Sequence, residues 1–235
     1  MATSPEELAP GVYRIDASRL ARMVNVFAIH ADDGWTLVDT GLGRSPARIQ
    51  AALGRLGVGP AALRRIYLTH HHSDHIAGLP GMCRWAPEAE VVAPEREAEI
   101  ISGARPRDAA PSPVSRLMQR ADRLPVVPVS RTVIEGEIVA GFRVIATPGH
   151  SVGHTSLLSE DHGLLLTGDA FGALPRRLRV GVRSAFCADP AMALRSADKL
   201  LEEEYTTVAF SHGAVLREAA RERLREVVAA CDYGR

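Results

Sequence analysis

Thr69-His70-His71-His72-Ser73-Asp74-His75 is the stretch whose reading decides the fold, because it sets out His70, His72, Asp74 and His75 as His-x-His-x-Asp-His. The residues ahead of it, Arg65–Thr69, are predicted to form a strand. The cluster therefore falls at a strand's carboxyl end, where open α/β folds place their ligands. In extended backbone, residues two apart project to one side, so His70, His72 and Asp74 can converge while His71 points elsewhere. Imidazole nitrogen and carboxylate oxygen are donors that suit Zn2+ and related borderline ions. A run of solvated surface histidines would have the same composition, so the cluster alone leaves that alternative open.

Three later positions repeat the arrangement. Thr147-Pro148-Gly149-His150 ends a strand with a Pro-Gly turn, Leu166-Thr167-Gly168-Asp169 ends another with a carboxylate, and Ala209-Phe210-Ser211-His212-Gly213 ends a third with a histidine. Singly, each reads as an ordinary turn residue. Jointly, five histidines and two aspartates at strand ends are hard to explain by accident. Tyr67 is expected to pack within its strand, and His154 to make turn or supporting hydrogen bonds. His30, His71 and His162 are left to structure or solvent.

Around these positions the chain alternates strands and helices. Strands are predicted at Gly11–Asp16, Val24–His30, Trp35–Asp39, Glu90–Ala93, Arg131–Ile134, Glu137–Val139, Phe142–Thr147, Thr155–Ser159, Leu164–Thr167 and Thr207–Phe210. Ser45-Pro46 reads as N-cap and first residue of a helix that runs to Gly57, and Pro94–Ile101 is a charged helical stretch. Asp189 opens a helix at Pro190–Glu203, and an amphipathic helix follows from Val215 to about Ala230. Between 102 and 129 the sequence turns rich in Pro, Ala and Arg, with one helix near Val114–Arg123. This insertion is expected to be either a lid over the cleft or a homodimer contact.

Composition bounds the function. The 235 residues carry 28 Lys+Arg against 28 Asp+Glu, with 46% hydrophobic and 24% charged side chains, which are globular proportions. Zero net charge removes the long-range attraction that nucleic-acid and anionic-membrane binders use, so neither is an expected partner. The acidic Met1–Glu7 segment lacks the positive charge and apolar core of a secretory signal. No apolar run approaches the roughly 18–20 residues that span a bilayer. Cys83, Cys187 and Cys231 are widely spaced with no Cys-x-x-Cys pair, as expected of reduced thiols in the cytoplasm.

Taken in order, from Leu37-Val38-Asp39-Thr40-Gly41 to Ser211-His212-Gly213, the motifs resemble the metallo-β-lactamase-fold hydrolase superfamily over nearly the whole chain. The resemblance implies one domain over residues 1–235, an α/β fold of the αββα sandwich type with two mixed β-sheets and helices outside. It implies two Zn2+ ions, with Fe or Mn as substitutes. One ion is held by His70, His72 and His150, the other by Asp74, His75 and His212, and Asp169 bridges both. Asp39 matches the superfamily's early aspartate, which orients a ligand histidine. Its other reading is a strand-end turn aspartate. The implied reaction is attack by a metal-bridging hydroxide, with Asp74 orienting it and returning a proton to the leaving group.

Where the commonest zinc β-lactamases have a cysteine ligand, this chain has Gly168-Asp169. That departure turns the expectation from antibiotics toward the glyoxalase II and lactonase pattern, with a small ester, thioester or lactone as substrate. A mononuclear-iron persulfide dioxygenase of the same fold, a phosphodiesterase and a non-enzymatic metal-binding protein are the alternatives. The basic arm of RNA-processing members is not found, and His72 stands where flavodiiron proteins carry a glutamate. Arg176, Arg177, Arg179 and Arg183 in the loop Ala170–Cys187 either reach a substrate anion or form a solvated basic loop.

Overall fold

The computed structural model describes residues 4–107, 116, 117, 119, 123–173, 177–182 and 187–232. It divides into two compact units, Met1–Pro106 with Leu124–Val133, and Arg107–Arg123 with Ile134–Arg235.

The first unit is built on a seven-stranded sheet. Its strands are β1 (Glu6–Ala9), β2 (Val12–Asp16), β3 (Asn25–Ala31), β4 (Gly34–Val38), β5 (Leu63–Tyr67), β6 (Glu90–Pro94) and β7 (Arg131–Val133), side by side in chain order. The first four pair antiparallel, and β4 to β7 pair parallel. Parallel neighbours need long crossovers. These are supplied by α1 (Pro46–Arg55), α2 (Ser73–Ile76), α3 (Leu79–Trp85) and α4 (Glu95–Ile101). Helix α1 starts at a proline, whose fixed φ suits a first turn, and buries Ile49, Ala52 and Leu53 on one face. These join Val26, Leu37, Ile66 and Met82 in one core cluster. Each fully buried Leu, Ile or Met of this kind contributes about 1.5–3 kcal/mol.

Ser45 does not cap α1 as predicted. Its backbone is already helical and its hydroxyl donates to the Ala17 carbonyl at 2.6 Å, tying the helix to the segment after β2. Helices α2 and α3 are absent from the sequence expectation, because each is under eight residues and too short to show a period.

The second unit has a five-stranded sheet in the order β14-β11-β10-β9-β8. Its strands are β8 (Ile138–Val139), β9 (Phe142–Ala146), β10 (Thr155–Ser159), β11 (Leu164–Leu166) and β14 (Thr207–Ala209). All pairs are antiparallel except β11 with β14, whose crossover contains α5 (Pro190–Leu201). Asp189 caps α5 as predicted, its carboxylate accepting the Met192 N–H at 2.9 Å. Read as loop in the sequence, 170–187 instead contains the hairpin β12 (Phe171–Ala173) and β13 (Leu178–Val180), which buries Phe171 and Val180. The last helix, α6 (Ala220–Ala229), begins five residues later than predicted. Leu216 bridges to Val208 and draws that segment to the edge of the sheet, leaving the helix to start after Ala219 at φ +47°.

Two mixed sheets with helices bear out the predicted α/β class. Among the described residues no helix is long and apolar enough to cross a membrane. The helix predicted near Val114–Arg123 lies outside the described residues, except for isolated positions, and Arg176 and Arg183 lie outside them too.

Candidate metal centre

In the first unit, β5 runs through the core, with Ile66, Tyr67 and Leu68 fully buried, and delivers Thr69 and His70 at its carboxyl end. Extended alternation holds only as far as His72. That residue is the N-cap of α2, and its carbonyl accepts the His75 and Ile76 N–H groups at 2.9 and 3.0 Å. Asp74 therefore projects, with His75, from a helical turn, and not from the strand line that the spacing implied for it. The turn still brings the donors together. The His70 ring centroid lies 4.7 Å from that of His72 and 4.0 Å from that of His75. Candidate donor atoms of His70 and His72, of His70 and His75, and of Asp74 and His75 lie within 4.8 Å of one another.

Asp39 organises this half. It follows β4 at φ +62°, a left-handed conformation that aspartate tolerates better than most residues. One carboxylate oxygen accepts from the His75 Nδ1 at 2.7 Å, and the other accepts the Thr69 N–H at 2.8 Å. The Thr69 hydroxyl donates to Asp39 at 2.8 Å and stands 3.0 Å from the His70 Nδ1, from which it can accept. With Nδ1–H groups committed in this way, the Nε2 atoms of His70 and His75 carry the lone pairs a metal uses. Thr40 adds a second tie, donating from both its amide and its hydroxyl to the His75 carbonyl at 2.7 Å.

In the second unit, the turn after β9 is seated on the start of α5. Gly149 adopts φ +126°, and a Cβ there would stand 2.1 Å from the Ala193 nitrogen, so no larger residue fits. Ser196 donates to the Pro148 carbonyl at 2.6 Å, and the Asp189 and Ala188 amides donate to the Gly149 and His150 carbonyls. Asp169 follows β11 through Gly168 at φ +53°. Its amide donates to the His154 Nε2 at 2.9 Å, while the His154 Nδ1 faces the Thr147 hydroxyl at 2.8 Å. An Nε2 that accepts places the ring proton on Nδ1, so His154 serves as a brace for Asp169, in line with the supporting role predicted for it.

The Asp169 carboxylate is flanked on both oxygens. The His150 Nε2 lies 3.2 Å from one, and the His212 Nε2, after β14, lies 3.4 Å from the other. A lone-pair imidazole nitrogen and a carboxylate oxygen are both acceptors, so such approaches call for a proton or a cation between them. That donor set fits a metal ion. Cys187 is not the equivalent of a cysteine ligand. It is buried 4.0 Å from the His150 Nδ1, and its thiol is pushed up to about 12, first by burial and then by the Asp169 charge. Glu97, buried against His71, is the contact that sequence reasoning missed, since a glutamate in a charged helix reads as solvated.

The metallo-β-lactamase superfamily profile matches residues 19–212, and the chain belongs to that superfamily. Its class is therefore that of a superfamily metallo-hydrolase. An uncharacterised protein of Bacillus subtilis strain 168 is 28% identical over 225 residues, 90% of this chain and 91% of its own length. A hydroxyacylglutathione hydrolase of Cereibacter sphaeroides is 35% identical over 116 residues, 48% of this chain but only 35% of the relative's length. Among solved structures, a Cronobacter sakazakii metallo-β-lactamase superposes with TM-score 0.73 at 22% identity, covering 97% of this chain and 92% of that one.

Proposed function

We propose that this protein is a dinuclear zinc hydrolase that cleaves a small ester, thioester or lactone. The reading assigns one ion to His70, His72 and His150, the other to Asp74, His75 and His212, and Asp169 to both. The observation that carries it is the Asp169 carboxylate with a histidine Nε2 at each oxygen, the arrangement a shared carboxylate needs. When bound, divalent ions supply a hydroxide at neutral pH and an electrophilic partner for the scissile carbonyl oxygen.

The chain's own groups do the rest. Asp39 and Thr69 hold the rings of His75 and His70 in one tautomer, and His154 holds Asp169 in place. Asp74 is the more exposed carboxylate, its Oδ1 3.9 Å from the His75 Nε2. It would orient the attacking hydroxide and return that hydroxide's proton to the departing oxygen or sulfur, as a new C–O bond replaces the broken acyl bond. The partial match to hydroxyacylglutathione hydrolases supports a thioester, and the carboxylate in place of cysteine argues against β-lactams. With the reading go the small-molecule partner, the single domain and the cytoplasmic setting expected from the sequence.

The test is a screen of the metallated protein against thioesters, lactones, phosphodiesters and β-lactams, with metal content measured alongside. Turnover of a thioester or lactone is expected, and Asp169→Ala and His72→Ala should abolish it and lower metal content in a folded chain. Full activity in both variants at wild-type metal content would overturn the assignment. So would near-stoichiometric iron with oxygen uptake on a persulfide.

A further inference from the structure

Three consecutive histidines, His70, His71 and His72, are chemically alike, and extended alternation sets His71 apart from the other two only while the backbone stays extended, which it does no further than His72. Glu97 is the buried carboxylate that meets the middle one, His71. This glutamate lies in α4, which follows β6, the parallel neighbour of β5, so the first turn of α4 runs beside the segment that leaves β5. Its side chain is fully buried. A single oxygen, Oε2, accepts the His71 backbone N–H at 2.9 Å and faces the His71 Nδ1 at 2.6 Å. A buried carboxylate is costly unless charge-assisted bonds of this kind compensate for lost hydration.

Both contacts act on the donors either side. The His71 amide belongs to the peptide that joins it to His70, so holding that N–H restrains the backbone orientation of His70. The His71 ring packs edge-to-face on His72, with centroids 5.0 Å apart. A ring held by Glu97 is thus also a wall for His72. We propose that Glu97 is a positioning residue that selects His70 and His72 as metal donors by tying His71, through its amide and its ring, to α4. The inference rests on the reading of His70 and His72 as ligands.

Because one oxygen makes both contacts, reach and charge can be separated. Glu97→Gln keeps an oxygen acceptor at the same reach and removes the charge. Glu97→Asp keeps the charge and falls one methylene short. Metal-free full-length protein is titrated with Zn2+ against a chromophoric chelator, and with Co2+ while its visible spectrum is followed. Glu97→Gln should bind within about threefold of wild type with the same Co2+ spectrum. Glu97→Asp should weaken binding about 10–100-fold, the usual effect of losing an outer-shell partner, and alter the spectrum. Wild-type behaviour of Glu97→Asp overturns the inference. A Glu97→Gln variant as impaired as Glu97→Asp overturns it as well, since charge would then matter more than position. If Glu97→Asp does not fold, Glu97→Ala takes its place, with the same weakened binding and altered spectrum expected and wild-type behaviour overturning the inference. A wild-type chain that binds neither ion overturns the ligand reading itself, whereas a binding wild type with both variants unchanged removes only the role of Glu97.

Discussion

At the scale of single residues, His70, His75 and Asp169 are each held by a second residue through a hydrogen-bonding group not offered to a metal. Asp39 does this for His75, and His154 does it for the Asp169 backbone. Asp39→Asn keeps the volume and removes the charge behind His75. Metal affinity is expected to fall about 10–100-fold, measured by chelator competition, with the fold retained. His154→Ala acts differently, because it strands the buried Asp169 N–H. Its cost is expected at about 1–3 kcal/mol in urea unfolding of the metal-free protein. Much of this was legible in the sequence. The donor types and their spacing named His70, His72, His75, His150 and His212 as candidates without any coordinates. The braces were less so, since Asp39 could equally have been a turn residue until its carboxylate was seen to bridge Thr69 and His75.

At the scale of elements, α5 is the support of the second donor set. Its N-cap at Asp189 was readable from Asp-Pro at a helix start, a local signal, and Asp189→Ala should cost about 1 kcal/mol. Gly149→Ala should cost more. It forces a left-handed φ on alanine, itself worth about 1–3 kcal/mol, and drives a Cβ into the first turn of α5. Comparison of the two variants by urea midpoint checks the order, and equal losses would show that the turn can move away from the helix. The docking of α5 on that turn through Ser196 and Pro148 was not legible, because the partners are 48 residues apart. Nor was α2. A four-residue helix has no period to detect, yet it changes how Asp74 and His75 reach the donor group.

At the scale of the whole molecule, two buried groups of the second core couple stability to alkaline pH. Cys187 is pushed up from 9.0 to about 12 and Tyr205 from 10.0 to about 12, both chiefly by burial. The folded state keeps both protons where the unfolded chain has already released them. Their contribution is therefore intact below about pH 9 and is lost as the pH rises toward 12. Urea midpoints measured across that range should decline, and Tyr205→Phe should decline less steeply. A flat profile would contradict the burial of these groups. Removal of bound metal acts on the same balance, since an ion that binds only the folded state stabilises it by mass action. A strong chelator should lower the melting temperature of wild type and leave that of Asp169→Ala nearly unchanged.

The sequence by itself determined the α/β class, most of the strands and the identity of the candidate donors. These rest on local physics, namely hydrophobic period, turn chemistry and the preference of borderline ions for imidazole and carboxylate. Only the tertiary structure decided what holds those donors. Asp39 meets His75 across 36 residues, Glu97 meets His71 across 26, and His154 meets the Asp169 amide across 15. Contacts of that separation are set by strand register and helix docking, and no local pattern in the chain encodes them.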